Sequence, residues 1–129
     1  MSKLYHDPIY DMWFKSETGE LPKPTPAISF LKEASSALKD RASQRDTPEG
    51  ERSMSRTVAL FNAYKGEELL SETDGWVFMV FLKLIRGDQG KFIKDDYVDG
   101  AGYMALAGEA KSKEEVLKIQ SRSNLNVNL

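Results

Sequence analysis

Residues 76–85 read WVFMVFLKLI, an apolar run broken only by Lys83. The run is far short of the roughly 20 residues that a membrane-spanning helix needs. Ser71 and Asp74 precede it at capping-box spacing, with Asp in place of the usual Glu. A helix opens there, and a helix apolar all round is covered on several sides. It is therefore expected at the centre of a bundle, and the rest of the chain must supply its cover.

With 129 residues the chain suffices for one domain. The stretch TPAISFLKEASSALKDRASQRD starts a helix, with Thr25 as its cap and Pro26 at its first position. Its stripe is Ile28, Leu31, Ser35, Leu38 and Ala42. After DTPEGE, helical spacing resumes over about 51–65 on Met54, Val58 and Phe61, with Leu60 and Tyr64 beside them. Gly66 ends it. The helix after the apolar run spans about 94–110, with Tyr97, Ala101, Met104 and Gly108 as one stripe and Val98, Ala105 and Leu106 widening it. Gly100 and Gly102 each weaken it by roughly 1 kcal/mol relative to Ala, which points to close approach of a backbone or a ligand. Ser112 and Glu115 cap a further short helix.

Residues 1–25 are punctuated by Pro8, Pro22 and Pro24 and read as an arm. Tyr5, Ile9, Tyr10, Met12, Trp13 and Phe14 are too apolar to leave in water, so the arm packs on this body, a second subunit or a partner. The expected fold is all-α, a small bundle of four to five helices with an extended N-terminal arm. Its divisions are the arm at 1–25, the helical domain at 26–121 and a flexible tail at 122–129.

The charge of −2 argues against general binding to DNA or an anionic membrane. The absence of cysteine removes disulfides, thiolate zinc sites and cysteine nucleophiles. The single histidine, His6, leaves one residue around which a serine triad could be built. With no secretory signal in the N-terminal stretch, the expected location is the cytoplasm.

The candidate chemistry lies in three groups. Lys83 is the one charge in the apolar helix, and Arg86 follows at i+3. Such a lysine snorkels outward, meets a carboxylate or binds an anion. Asp95, Asp96 and Asp99 open the next helix, with Tyr103 four residues beyond Asp99. Their plain reading is compensation of a helix N-terminus. That suits Asp95 and Asp96 better than Asp99, which lies deeper among apolar residues. Two helices joined by a short loop run antiparallel, so Asp99 can meet Lys83 in a structural pair. The functional alternatives are a metal held by the three acids, or phosphate held by Lys83 and Arg86 while Asp96 or Asp99 reads a ribose or base edge. The third group is Arg-rich, with Arg41 and Arg45, then Arg52 and Arg56, at i, i+4 spacing and Glu49 and Glu51 between the pairs. It is a solvated face or a phosphate site at a helix start.

The segments DRASQRDTPEGERSMSRTVALFNAYKG and LSETDGWVFMVFLKLIRGDQGKFIKDDYVDGAGYMALAGE resemble a family of small tailed-phage and prophage proteins of unknown function, over roughly residues 40–109. The resemblance implies a phage origin, a host-cell location and a helical fold. A more distant likeness is to the all-α MazG-type nucleotide pyrophosphohydrolases, whose magnesium is held by an EExxE helix and a later ExxD. Asp96 and Asp99 stand at the ExxD spacing. The first element departs, because WVFMVFLKLIR carries Lys83 where acid is expected.

Three functions follow as expectations. The first is binding of a nucleotide or cyclic nucleotide without catalysis, sequestering a host signal against defence, with Arg45, Arg52, Arg56, Lys83, Arg86 and Tyr103 as ligand contacts. The second is magnesium-dependent hydrolysis, with Asp96 and Asp99 catalytic and Asp95 completing the metal set. The third is inhibition of a host protein through the aromatic arm. A homodimer and a monomer with a packed arm both fit.

Overall fold

The structure is a computed structural model that describes residues 3–7, 12–16, 21–45 and 53–127. Among these, four helices make the body: α1 (Ala27–Arg45), α2 (Ser53–Lys65), α3 (Glu72–Gly87) and α4 (Lys94–Val127). The arm holds an element that the proline pattern did not predict. Strands β1 (Lys3–Asp7) and β2 (Met12–Ser16) pair antiparallel, with Tyr5 opposite Phe14.

Local signals account for several boundaries. The Ser71 Oγ accepts from the Asp74 amide at 3.1 Å, and Asp74 Oδ2 accepts from the Ser71 amide at 3.0 Å, so the predicted capping box starts α3. Gly66 follows α2 at a φ of 75°, where a side chain would be strained. The break predicted before Ser112 is absent. The Ser112 Oγ donates to the Glu109 carbonyl at 2.7 Å inside a continuous α4, and the helix runs through the first part of the segment read as a flexible tail. Ion pairs of Lys111, Lys113 and Lys118 with Glu109, Glu114 and Glu115, three or four residues apart, support that junction.

Helix α4 is the hub. It packs against α3 and α1, and α2 joins through α3. The core gathers Trp76, Leu106, Ala107 and Ala110, flanked by Leu38, Met54, Val77, Met79 and Tyr103. Trp76 stacks on Tyr103 with centroids 5.8 Å apart. The helices meet on small side chains. A Cβ on Gly75 would lie 2.9 Å from Val58 Cγ2 and collide with Met54 Sδ, so α2 crosses α3 at that glycine.

This packing turns several predicted stripes outward. On α1, Ala34, Ala37 and Leu38 face α4, while Ile28 and Leu31 are exposed. On α2, Asn62 takes the inward place expected for Phe61. On α4, the buried side holds Val98, Gly102 and Leu106, and Tyr97 and Met104 are exposed. Helix α3 is not enclosed: Phe78, Phe81, Leu84 and Ile85 all face solvent. Small residues at the crossings, Ala34 and Ala37 on α1, Gly75 on α3 and Gly102, Ala107 and Ala110 on α4, let the helices approach, and Trp76, Leu38 and Leu106 fill the space beside them.

Candidate functional site

The antiparallel α3–α4 pair positions the charged residues. Tyr97 lies beside Gly87, Gly100 beside Lys83, Tyr103 beside Trp76, and Glu114 beside Thr73. This register carries Lys83 onto the first turns of α4. Its Nζ lies 2.9 Å from Asp99 Oδ2 and 3.9 Å from Asp96 Oδ1. The Lys83 and Asp96 side chains are only 12% and 10% exposed, and Asp99 is 25% exposed. An ammonium therefore sits against two carboxylates one helical turn apart, largely out of water.

The cluster edges a groove of about 350 Å³ lined by Val80, Lys83, Leu84, Asp88, Asp96, Tyr97, Gly100 and Ala101. Gly100 and Ala101 give α4 a flat surface there. A Cβ on Gly100 would meet Lys83 Cβ at an ordinary 3.6 Å, so packing alone does not demand glycine. The Tyr97 ring is half exposed and touches Phe92 and Phe30, at centroid distances of 5.8 and 6.4 Å. With Asp88 and Asp96 against Lys83, the groove lining carries more acid than base.

The other predicted site residues are dispersed. Asp95 is exposed, and among the described residues no three acidic or histidine side chains gather as a metal site. The Lys83 ammonium occupies the position between Asp96 and Asp99 that a cation would take. Tyr103 belongs to the core, between Trp76 and the Arg41 guanidinium, whose central carbon is 5.9 Å from the ring centre. Arg86, Arg56 and Arg45 are exposed and none lines the groove. Arg52, Glu49 and Glu51 lie outside the described residues.

The sequence reading missed three features. Asn62 is buried and clamps the α2–α3 loop: its Oδ1 accepts from the Leu69 and Leu70 amides at 3.1 and 3.0 Å, and its Nδ2 donates to the Leu70 carbonyl at 2.8 Å. Asn62 stands four residues after Val58 on an apolar stripe, and that polar intrusion was the available signal. The Thr73 hydroxyl donates to Glu114 Oε1 at 2.7 Å, and this bond holds the Glu114 carboxyl below its ordinary range. Asp88, the residue that caps the end of α3, lines the groove, a place set by the α3–α4 turn.

Fold and cluster together define a class, the small helical bundle built on an antiparallel helix pair that encloses a lysine–aspartate triad. Within that class the chain belongs to the family described as Domain of unknown function (DUF6378), which matches residues 29–111. The matched span takes in α2, α3, the triad and most of α1, and stops within α4. No curated protein and no solved structure shows significant similarity to the chain. No described helix is long and apolar enough to cross a membrane.

Proposed function

We propose that the α3–α4 groove binds the nucleoside part of a nucleotide or cyclic nucleotide and leaves it intact. The observation that carries this reading is the Lys83 ammonium seated between Asp96 and Asp99. Two aspartates whose inner face is already taken by a protein cation are poorer ligands for magnesium, so recognition fits them better than metal-assisted hydrolysis. A volume of about 350 Å³ lies at the small end of ligand pockets. Tyr97 offers a stacking face, and Gly100 and Ala101 admit a flat ring. Asp96 accepts hydrogen bonds from an exocyclic amino group, favouring amino-bearing bases. The acid excess repels phosphate, so the phosphates point to solvent. This replaces the expected phosphate-holding role of Lys83 with one in fixing the carboxylates. In a protein resembling small phage proteins, such binding would withdraw a host nucleotide signal from a defence pathway.

The test is incubation of the pure protein with a pool of linear and cyclic nucleotides, with and without magnesium, followed by mass spectrometry of bound and free fractions. Intact nucleotide released on denaturation is the expected result. Tyr97→Ala should weaken its binding at least 5-fold, from a stacking contribution of about 1–3 kcal/mol. Conversion to a monophosphate or an opened ring would instead establish the magnesium-dependent hydrolase. An unchanged, undepleted pool would refute both. A host protein held by the aromatic arm would then be the remaining proposal, although the side chains of Tyr5, Trp13 and Phe14 lie outside those described.

A further inference from the structure

Of Asp88, Asp96 and Asp99, Asp96 is the most buried and the least satisfied. Its side chain is 10% exposed, yet among the described residues no hydrogen bond reaches its carboxylate. The Lys83 ammonium stands 3.9 Å from Oδ1, beyond hydrogen-bond reach. The other two aspartates differ. Asp99 has the same ammonium at 2.9 Å, and Asp88 is exposed to water. A buried carboxylate is ordinarily hydrogen-bonded, because desolvation without a donor is costly. Among the described residues no sealed side-chain oxygen goes without a hydrogen bond, so the Asp96 oxygens keep an opening, and Asp96 lines the α3–α4 groove.

The chemistry at that opening is selective. Lys83 lines the same groove and carries three N–H donors, one of which Asp99 engages. A donor therefore stands beside a carboxylate with both oxygens free to accept. The complementary ligand edge bears an acceptor next to two adjacent N–H groups. Guanine has that edge, with O6 beside N1–H and the C2 amino group. Its N1–H and amino group share one carbon, as the N–H groups of a guanidinium do, so one carboxylate accepts both at once. Adenine and cytosine place a bare ring nitrogen beside their amino group, which leaves one Asp96 oxygen unpaired. Uracil and thymine offer a single N–H between two carbonyls.

We propose that the α3–α4 groove selects guanine among the bases, with Asp96 as the specificity-determining residue and Lys83 donating to O6. The inference rests on the nucleoside reading of the groove and narrows it from amino-bearing bases to one. Tyr97 stacks on the ring and Asp96 reads its edge, so their effects are separable. Tyr97 sets the affinity for any base, and Asp96 sets the choice between bases.

Asp96→Asn tests this directly. Asparagine keeps one acceptor for N1–H and replaces the other with an amide donor. That donor opposes the C2 amino group of guanine but pairs with the C2 carbonyl of xanthine. The substitution leaves the Lys83–Asp99 pair in place. The measurement is calorimetric titration of the full chain with the monophosphates of guanosine, inosine, adenosine and xanthosine. Guanosine monophosphate should bind the wild type roughly 10-fold or more tightly than inosine monophosphate, which lacks the C2 amino group, and than adenosine monophosphate. Asp96→Asn should weaken guanosine monophosphate by roughly 10-fold or more and strengthen xanthosine monophosphate, a gain that a folding defect does not produce. If adenosine or inosine monophosphate binds as tightly as guanosine monophosphate, and Tyr97→Ala weakens them, the guanine assignment falls and the nucleoside reading stands. A guanosine preference that Asp96→Asn leaves unchanged would overturn the role of Asp96. If none of the nucleotides binds, the assignment and the nucleoside reading fall together.

Discussion

Replacing Lys83 by methionine tests whether the ammonium braces α3 against α4. Methionine keeps the stem and removes the charge. At an effective dielectric constant of about 20, charges 2.9 and 3.9 Å apart attract by about 6 and 4 kcal/mol before any desolvation is counted. Desolvation of a lysine that is 12% exposed offsets much of this. Removing the cation also unmasks two carboxylates one turn apart, roughly 6 Å on a helix surface, whose repulsion is about 3 kcal/mol on the same scale. The expected net loss is about 2–4 kcal/mol. Asp99→Asn should cost less, about 1.5–3 kcal/mol, because Asp96 remains at 3.9 Å. Urea unfolding followed by helical circular dichroism measures both, and Lys83→Met with Asp99→Asn closes a double-mutant cycle. A coupling energy of about 1–3 kcal/mol is expected. Single losses that add to within about 0.5 kcal/mol would refute the strut. Variants of full stability that no longer bind nucleotide would assign the cluster wholly to ligand.

Asn62→Ala should lower stability by about 2–3 kcal/mol and speed hydrogen exchange at the Leu69 and Leu70 amides, since it removes their shared acceptor. Unchanged protection there would dismiss the clamp. Gly75→Ala should destabilise by about 1–3 kcal/mol despite the better helix propensity of alanine, because the new methyl meets Val58 and Met54; a raised melting temperature would show that α2 shifts freely. Thr73→Val should return the Glu114 carboxyl toward its ordinary value of 4.5, measured by NMR titration, because the Thr73 bond is the leading cause of its depression. A depressed carboxyl stabilises the fold above its unfolded value and loses that effect as pH falls through the folded one. The stability difference between Thr73→Val and the wild type, about 1 kcal/mol or less, should therefore be present near neutrality and shrink below pH 4.5. A difference that persists unchanged in acid would assign it to packing.

The helices were legible because their punctuation is local. Ser71 with Asp74, Gly66, and the start of α4 at Lys94 each follow from a few neighbouring residues. The Lys83–Asp99 pair was legible too, since a short connection makes α3 and α4 antiparallel and sets their register. The facing of the helices was not. Periodicity identifies an apolar stripe, yet the contact faces mix small residues with large ones, Ala34 and Ala37 with Leu38 on α1 and Gly75 with Trp76 on α3. Bulk on an outer face reports a partner as readily as a core, and one chain's pattern does not separate the two. The capping box predicted at Ser112 failed for a related reason. Its signal was present, but the flanking Lys–Glu pairs let α4 continue.

The connectivity also sets an order of assembly. Contacts of α2 with α3, and of α3 with α4, close short loops, whereas α1 must find α4 across the whole of α2 and α3. Loop closure over the longer span costs more entropy, so α3–α4 contacts are expected to form before α1 docks, and substitutions at Ala34 or Ala37 should speed unfolding more than they slow folding.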